Sequence, residues 1–269
     1  KIIIIEIKNR TLLASDFSRT HTHTHTLRRP LAEQYDWQGR TCEVKQLDAS
    51  RTIRPTKEHT KGTNRYTLHQ KIYRTLNTGE VDFRTLARLP EEENYNEWLA
   101  VNVIDFYNEI VLLHGVISPD LCTKNTCPIM NAGRKFTYLW ADGKKYKTPT
   151  KMSAPEYIYC LLEWVDRQIS DERIIPPDDV PYRKDFEKLI KVIFKRLFRI
   201  FAHIYHRHYG EYHSLNVAQN LNNAFKRFIL FVMEFELIGS EHLAPLQKLI
   251  DLATKKKEEE QKKKRSQSE

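Results

Sequence analysis

Residues 184–208 read KDFEKLIKVIFKRLFRIFAHIYHRH. Phe186, Leu189, Ile190, Ile193, Phe194, Leu197, Phe198, Phe201 and Ile204 recur at the three- and four-residue spacing of a helix face. No Pro or Gly interrupts them, and Gly210 lies just beyond as a stop signal. The segment is therefore a long core helix. It also carries two sets of chemically useful side chains: the cations Lys195, Arg196 and Arg199, and the imidazoles of His203, His206 and His208.

The same period recurs elsewhere. Asn96–Leu113 carries Trp98, Val101, Ile104, Phe106, Ile110 and Leu113. Ala154–Ile169 carries Tyr157, Ile158, Leu161, Leu162, Trp164 and Val165, with Ser153 and Pro155 as start signals. Asn220–Leu237 and Leu243–Leu252 complete the set, and Phe136–Tyr146, with aromatics around Ala-Asp-Gly, reads as a small β-hairpin. The expected fold is all-α, a helical bundle over residues 51–253. The 269 residues are 40% hydrophobic and 29% charged, with 8 Gly and 11 Pro, which excludes a collagenous, disulfide-dense or wholly disordered chain. No run of about 18 uncharged apolar residues is present, so no membrane span is expected.

The ends differ from the middle. Thr20–Thr26 alternates Thr and His, as a CA-repeat transcript would translate, and the chain begins at Lys1. Residues 1–50 are expected to be an unstructured extension, in part the product of an inaccurate or incomplete gene model. Residues 254–269, TKKKEEEQKKKRSQSE, have nothing to bury and read as a charged, disordered tail and a candidate nuclear-localisation run. The net charge of +9 is spread out: 8 basic and 6 acidic residues in 1–50, 29 and 25 in 51–253, 7 and 4 in 254–269. A nucleic-acid binder concentrates its charge on one face, so no nucleic-acid partner is expected. Four cysteines in a chain of this length without a secretory signal point to reduced thiols and a cytoplasmic setting.

Cys122 and Cys127 form C-x4-C, and His203 and His208 form H-x4-H. Both spacings fall in the range of structural zinc, and four protein ligands leave no open position. His206 competes, because it lies one turn from His203 on the same face. His203 and His208 are about 140° apart on an ideal helix, so their pairing requires the helix to end or distort there. His114 and His213 are lesser candidates, and Cys42 and Cys160 have no partner at ligand spacing. Lys195, Arg196 and Arg199 converge on one side of their helix, as a phosphate-binding pocket or a solvated face would. Glu91, Glu92, Glu93 and Glu97 surround the start of the Trp98 helix, where they stabilise its dipole and could also face a basic partner. No Gly-rich phosphate loop, HExxH, nucleophile elbow or kinase catalytic loop is present, and no enzymatic activity is expected.

Over about residues 51–252 the chain resembles the Mob kinase-activator family, specifically its Mob1-like members. The resemblance rests on Leu89-Pro90, Asn96–Asn102 (NEWLAVN), Asp105-Phe106, Cys122-x4-Cys127-Pro128-x-Met130-x-Ala132-Gly133 and Trp140-Ala141-Asp142-Gly143. It continues through Ser153-Ala154-Pro155-x-Tyr157, Lys195–His208, Phe225-Lys226, Glu234-Phe235 and Leu243–Leu246. It implies a four-helix bundle with a structural Zn2+ on Cys122, Cys127, His203 and His208. It implies a non-enzymatic co-activator that binds the N-terminal region of an NDR/LATS-type kinase through Glu93, Glu97, Trp98, Val101 and Asp105. It implies that Lys195, Arg196 and Arg199 bind a phosphorylated Ste20/Hippo-type kinase or scaffold, and that Thr52 and Thr75 are phosphorylated. The sequence itself gives no sign of obligate oligomerisation, and a monomer is expected. Trp98 can anchor a partner only if partly exposed; buried, it is core. The chain departs from the family at Tyr209–Asn220, in the loop 173–182 and at Arg227, where a histidine is common. The alternative within the resemblance is an adaptor in a phosphatase–kinase scaffold complex that activates no kinase directly.

Overall fold

The computed structural model describes residues 57–78, 81–118 and 120–254. The expectations for residues 1–50, for Thr52 and for the tail beyond Thr254 lie outside these residues. Side-chain caps set where several helices begin. Helix α1 (Asn64–Leu76) starts at Thr63, whose hydroxyl accepts the Tyr66 N–H at 3.2 Å. Helix α2 (Phe83–Ala87) starts at Asp82. Helix α3 (Tyr95–Ile117) starts at Asn94, whose side chain accepts the N–H groups of Asn96 and Glu97. Strands β1 (Asn131–Ala132) and β2 (Phe136–Thr137) pair antiparallel, Asn131 opposite Thr137 and Ala132 opposite Phe136. Helix α4 (Ala154–Ile169) starts at Ser153, and the Glu156 carboxylate accepts from both the N–H and the hydroxyl of that serine. Then come α5 (Phe186–Arg207), α6 (Tyr209–Ser214), α7 (Ala218–Glu234), α8 (Ser240–Leu243), a 3-10 turn (Ala244–Leu246) and a helical stretch over 247–254.

Helix α3 is the centre. It packs against α1, α4, α5 and α7, and α4 packs against α5. The four-helix bundle expected from the sequence is therefore α3, α4, α5 and α7, with α1 laid across α3. Every residue of α3 from Trp98 to Tyr107 is buried, on all faces rather than one. By length and composition α3 would suffice to cross a bilayer, although Glu97, Asp105 and Glu109 interrupt its apolar run. Here it is the core helix of the bundle, most of its apolar window covered by its neighbours. The rings of Phe106, Phe194, Phe228 and Phe231 meet at the middle, with centroids 5.3–5.8 Å apart.

Three local expectations shift. The hairpin lies earlier than Phe136–Tyr146 and turns at Gly133, where φ is +71°. A Cβ at Gly133 would stand 3.0 Å from the His206 ring, so glycine is needed there both for the turn and for the contact. Residues 142–146 form instead a loop under the Trp140–Thr150 bridge, in which the Asp142 carboxylate accepts the N–H groups of Lys144 and Tyr146. The last segment breaks at Ala244-Pro245 into α8, the 3-10 turn and the final helical stretch, because Pro245 has no N–H to continue a helix.

Candidate metal centre and the charged surfaces around it

The chain folds the C-x4-C segment into one tight turn below the end of α3. The Cys122 N–H reaches back to the Ile117 carbonyl at 2.8 Å. Thr126 donates its hydroxyl to the Leu121 carbonyl at 2.7 Å, Thr123 and Thr126 each accept the other's N–H, and the Cys127 N–H closes on the Thr123 carbonyl. The Ala154 N–H donates to the Cys127 carbonyl and ties the turn to the start of α4. From the other side, α5 delivers His203 within its last two turns and ends at Arg207. His208 leaves the helix with φ −130° and ψ 9°. That break removes the 140° offset and aims both imidazoles at one point.

Cys122 Sγ lies 3.6 Å from His203 Nε2, and Cys127 Sγ lies 3.3 Å from His208 Nε2. The four donor atoms all lie within 4.8 Å of one another and all four residues are buried. Metal–ligand bonds of 2.0–2.3 Å imply tetrahedral edges of about 3.3–3.8 Å, so the cage fits Zn2+. The far nitrogen of each ring is oriented as a ligating histidine requires: His203 Nδ1 donates to the Asn131 carbonyl at 2.8 Å, and His208 Nδ1 to the Glu211 carboxylate at 3.3 Å. Burial and the neighbouring Cys127 push the Cys122 thiol up to about 12, and burial pushes His203 down to about 4. Without a cation the Cys122 thiol keeps its proton and the His203 ring is neutral. A dication would reverse the thiol's preference and bind two thiolates.

His206 points away, its Nε2 donating to the Pro245 carbonyl at 2.9 Å, so it clips the 3-10 turn against the hairpin. His213 is exposed. His114 is half-buried near the cage, its Nε2 shielded from solvent and without a hydrogen-bond partner, and desolvation followed by the two cage histidines pushes it down to about 4.

The three cations of α5 lie half-buried. Arg196 is stacked between the indoles of Trp140 and Trp164, 4.6 and 4.2 Å from the ring centres. Its Nη2 donates to the Ala141 carbonyl at 2.8 Å, while its Nη1 is buried with no partner. Arg199 donates to the Tyr157 hydroxyl and lies over the Tyr138 ring, whose own hydroxyl is buried without a partner. A guanidinium nitrogen and a phenol left unpaired beside a second guanidinium are groups that an anionic oxygen acceptor would satisfy.

The acidic residues separate into carboxylates and core. Trp98 is 2% exposed, its Nε1 donates to the Ala87 carbonyl, and Val101 is fully buried. Neither offers a surface, because α3 is covered on every side at that level. Glu93, just before the Asn94 cap, and Glu97 and Asp105 of α3 meet α1 and the segment before it. Glu93 takes Lys71 at 3.1 Å and Asn64 at 3.2 Å, and Glu97 lies 3.6 Å from Arg65. Asp105 accepts from His69 of α1 at 2.8 Å and from His59 at 2.9 Å. Burial works to raise the Asp105 carboxyl, but the two imidazole hydrogen bonds outweigh it and hold it at about 2. Arg227 of α7 is also buried, 3.2 Å from Glu109, 3.9 Å from Asp105 and over the Phe106 ring. Thr75 is exposed in the last turn of α1. Sequence reasoning did not find α1, His59 or His69, since each meets its acidic partner only through the fold.

Comparison with known proteins places these features in a family. The model of the Mob1/phocein family matches residues 73–246. Among similar proteins, the "MOB kinase activator-like 1 homolog B" of Dictyostelium discoideum is 46% identical over 209 residues, 77% of this chain and 95% of the relative. The "MOB kinase activator-like 1A" of Arabidopsis thaliana is 45% identical over 75% of this chain and 93% of the relative. The "MOB kinase activator-like 3" of Drosophila melanogaster is 42% identical over 74% and 90%.

Proposed function

The chain belongs to the Mob1/phocein family, and on that premise we propose that it is a non-enzymatic co-activator and adaptor of NDR/LATS-type kinases. The observation that carries the reading is the acidic row Glu93, Glu97 and Asp105, which already holds basic side chains of an amphipathic helix, α1. A basic helical segment of a kinase would bring the same chemistry to the half-buried Glu93 and Glu97, which would set its register and speed its arrival, whereas Asp105 is buried like Trp98 and Val101 and would act only through α1. The Cys122, Cys127, His203 and His208 cage, loaded with Zn2+, is the rigid base that holds the ends of α3 and α5 together.

The second surface is the α5 pocket. Arg196, held flat between two indoles, Arg199 and Lys195 would receive the phosphate of a phosphothreonine on an upstream Ste20/Hippo-type kinase or scaffold. A fluorescently labelled phosphothreonine peptide should bind the full chain and lose binding in Arg199→Ala, while affinity for the kinase segment stays unchanged. Equal loss of both would mean one surface rather than two. Phosphate on Thr75 would sit at the C-terminus of α1, against the helix dipole, and would loosen α1 over the acidic row. Thr75→Ala binding the kinase segment as tightly as the phosphorylated wild type would refute that role; Thr52 is proposed as the companion site. The expected compartment remains the cytoplasm, with the Lys-rich tail giving nuclear access.

A second reading has one observation in its favour. Each carboxylate of the row already faces a basic or imidazole side chain of this chain, Glu93 with Lys71, Glu97 with Arg65 and Asp105 with His59 and His69, as it would in a scaffold adaptor that never uses this face for a kinase. That protein would leave kinase segments unbound while keeping the phosphopeptide pocket.

A further inference from the structure

We propose that His59, His69 and Asp105 form a second site for a divalent transition metal, distinct from the cysteine–histidine cage. It would join the segment leading into α1, α1 itself and α3. His59 Nε2 and His69 Nδ1 both approach Asp105 Oδ1, at 2.9 and 2.8 Å, and the three donor atoms lie within 4.8 Å of one another. The imidazole rings stand 4.7 Å apart and tilted by 30°. Two imidazoles and one carboxylate are a donor set that Zn2+, Co2+ and Ni2+ accept, with water completing the shell.

The surroundings favour a cation at Oδ1. Asp105 is buried, and Arg227 approaches only its other oxygen, at 3.9 Å, while lying closer to Glu109. The Asp105 carboxyl is held well into its ionised range, the form a ligand must take. The side chain of His59 is 3% exposed and that of His69 28% exposed, so access runs past His69. The position of His59 is fixed two residues earlier, where Lys57 N–H and carbonyl exchange hydrogen bonds with the Asn108 amide at 2.9 and 2.8 Å.

Bonds of 2.0–2.1 Å imply donor separations of about 3.3 Å. Both ring nitrogens now aim at Asp105 Oδ1, so the metal would sit near the place of that oxygen and the carboxylate would swing back by about 2 Å to ligate it. Each imidazole now shares an N–H hydrogen bond with the carboxylate. On coordination that nitrogen must lose its proton: a neutral ring moves it to its far nitrogen, a protonated ring releases it to solvent, and two metal–nitrogen bonds and one metal–oxygen bond replace the two hydrogen bonds. The metal would turn a hydrogen-bonded clasp over the acidic row into a coordinate one.

The test uses the full chain with its cage loaded with Zn2+ and with His21, His23 and His25 replaced by Ala, so that the Thr-His tract does not compete. Co2+ is titrated and followed by visible absorption. One further equivalent should bind with d–d bands and no thiolate charge-transfer band. His59→Gln and His69→Gln, which can keep a hydrogen bond to Asp105, should each weaken it by at least about tenfold while melting normally before Co2+ is added. Failure of the parent to take up Co2+, uptake by both variants as tight as the parent's, or uptake only with a thiolate band would overturn the proposal.

Discussion

Removing metal from the cysteine–histidine cage should lower the melting temperature by at least about 10 °C. Structural zinc contributes an apparent ~10–16 kcal/mol in peptides that fold only with metal, comparable to the whole stability of a typical domain. This chain has an aromatic core that such peptides lack, so α3, α4, α5 and α7 should persist while the local structure is lost. In the metal-free cage the Cys122 thiol, pushed up to about 12, is protonated, and His203, pushed down to about 4, is neutral. Two thiol–imidazole contacts at 3.3 and 3.6 Å then remain to hold a loop to the end of a distant helix. A loss of only ~5 kcal/mol at about 2–4 °C per kcal/mol for a domain of this size gives a fall of roughly 10–20 °C. Scanning calorimetry on the protein as purified and after chelation, with metal content measured, reads the effect directly. Hydrogen exchange should localise it to 121–137 and 203–214. Cys127→Ser should behave as the chelated protein does. A verified metal-free protein melting within about 2 °C of the loaded one would refute the structural role.

Two further outcomes separate core from surface. Trp98→Ala should cost about 3–5 kcal/mol, as for other large buried aromatics, and Trp98→Phe much less, because the indole fills core space at 2% exposure; loss of kinase binding with an unchanged melting curve would place it at the surface after all. His114 is held down to about 4 against an ordinary value of 6.5, so the unfolded chain binds the extra proton between those values. Stability should therefore fall as pH drops below 6.5 and level off near 4, by on the order of 3 kcal/mol from this residue. His114→Gln should flatten the urea-measured slope in that window, and an unaltered slope would assign it to the cage histidines.

The bundle was legible because its helices carry a regular apolar period. Ala154–Ile169 was placed to the residue, with Ser153 and Pro155 marking its start. Helix α1 was not, because only Leu68, Ile72 and Leu76 form its buried stripe and the rest of its support comes from α3 and from partners such as Glu93 and Asp178. The spacing of the cysteines and histidines pointed to a metal cage. The choice of His208 over His206 depends on where α5 stops, and that break is a property of the backbone at His208. The sequence also made a single stripe of Trp98 and Val101, whereas α3 lies between α1, α4, α5 and α7 and buries both. Likewise nothing near Asp105 in the chain announces His59 and His69, which lie 46 and 36 residues away.

The measurement that bears most directly on the account is calorimetric titration of the full chain, zinc-loaded, with the N-terminal regulatory segment of an NDR/LATS-type kinase, beside the double variant Glu93→Lys, Glu97→Lys. Binding by the wild type that the variant loses, with both proteins melting alike, is the predicted result. A folded, zinc-loaded wild type that binds no such segment would contradict the co-activator reading and leave the scaffold adaptor in its place.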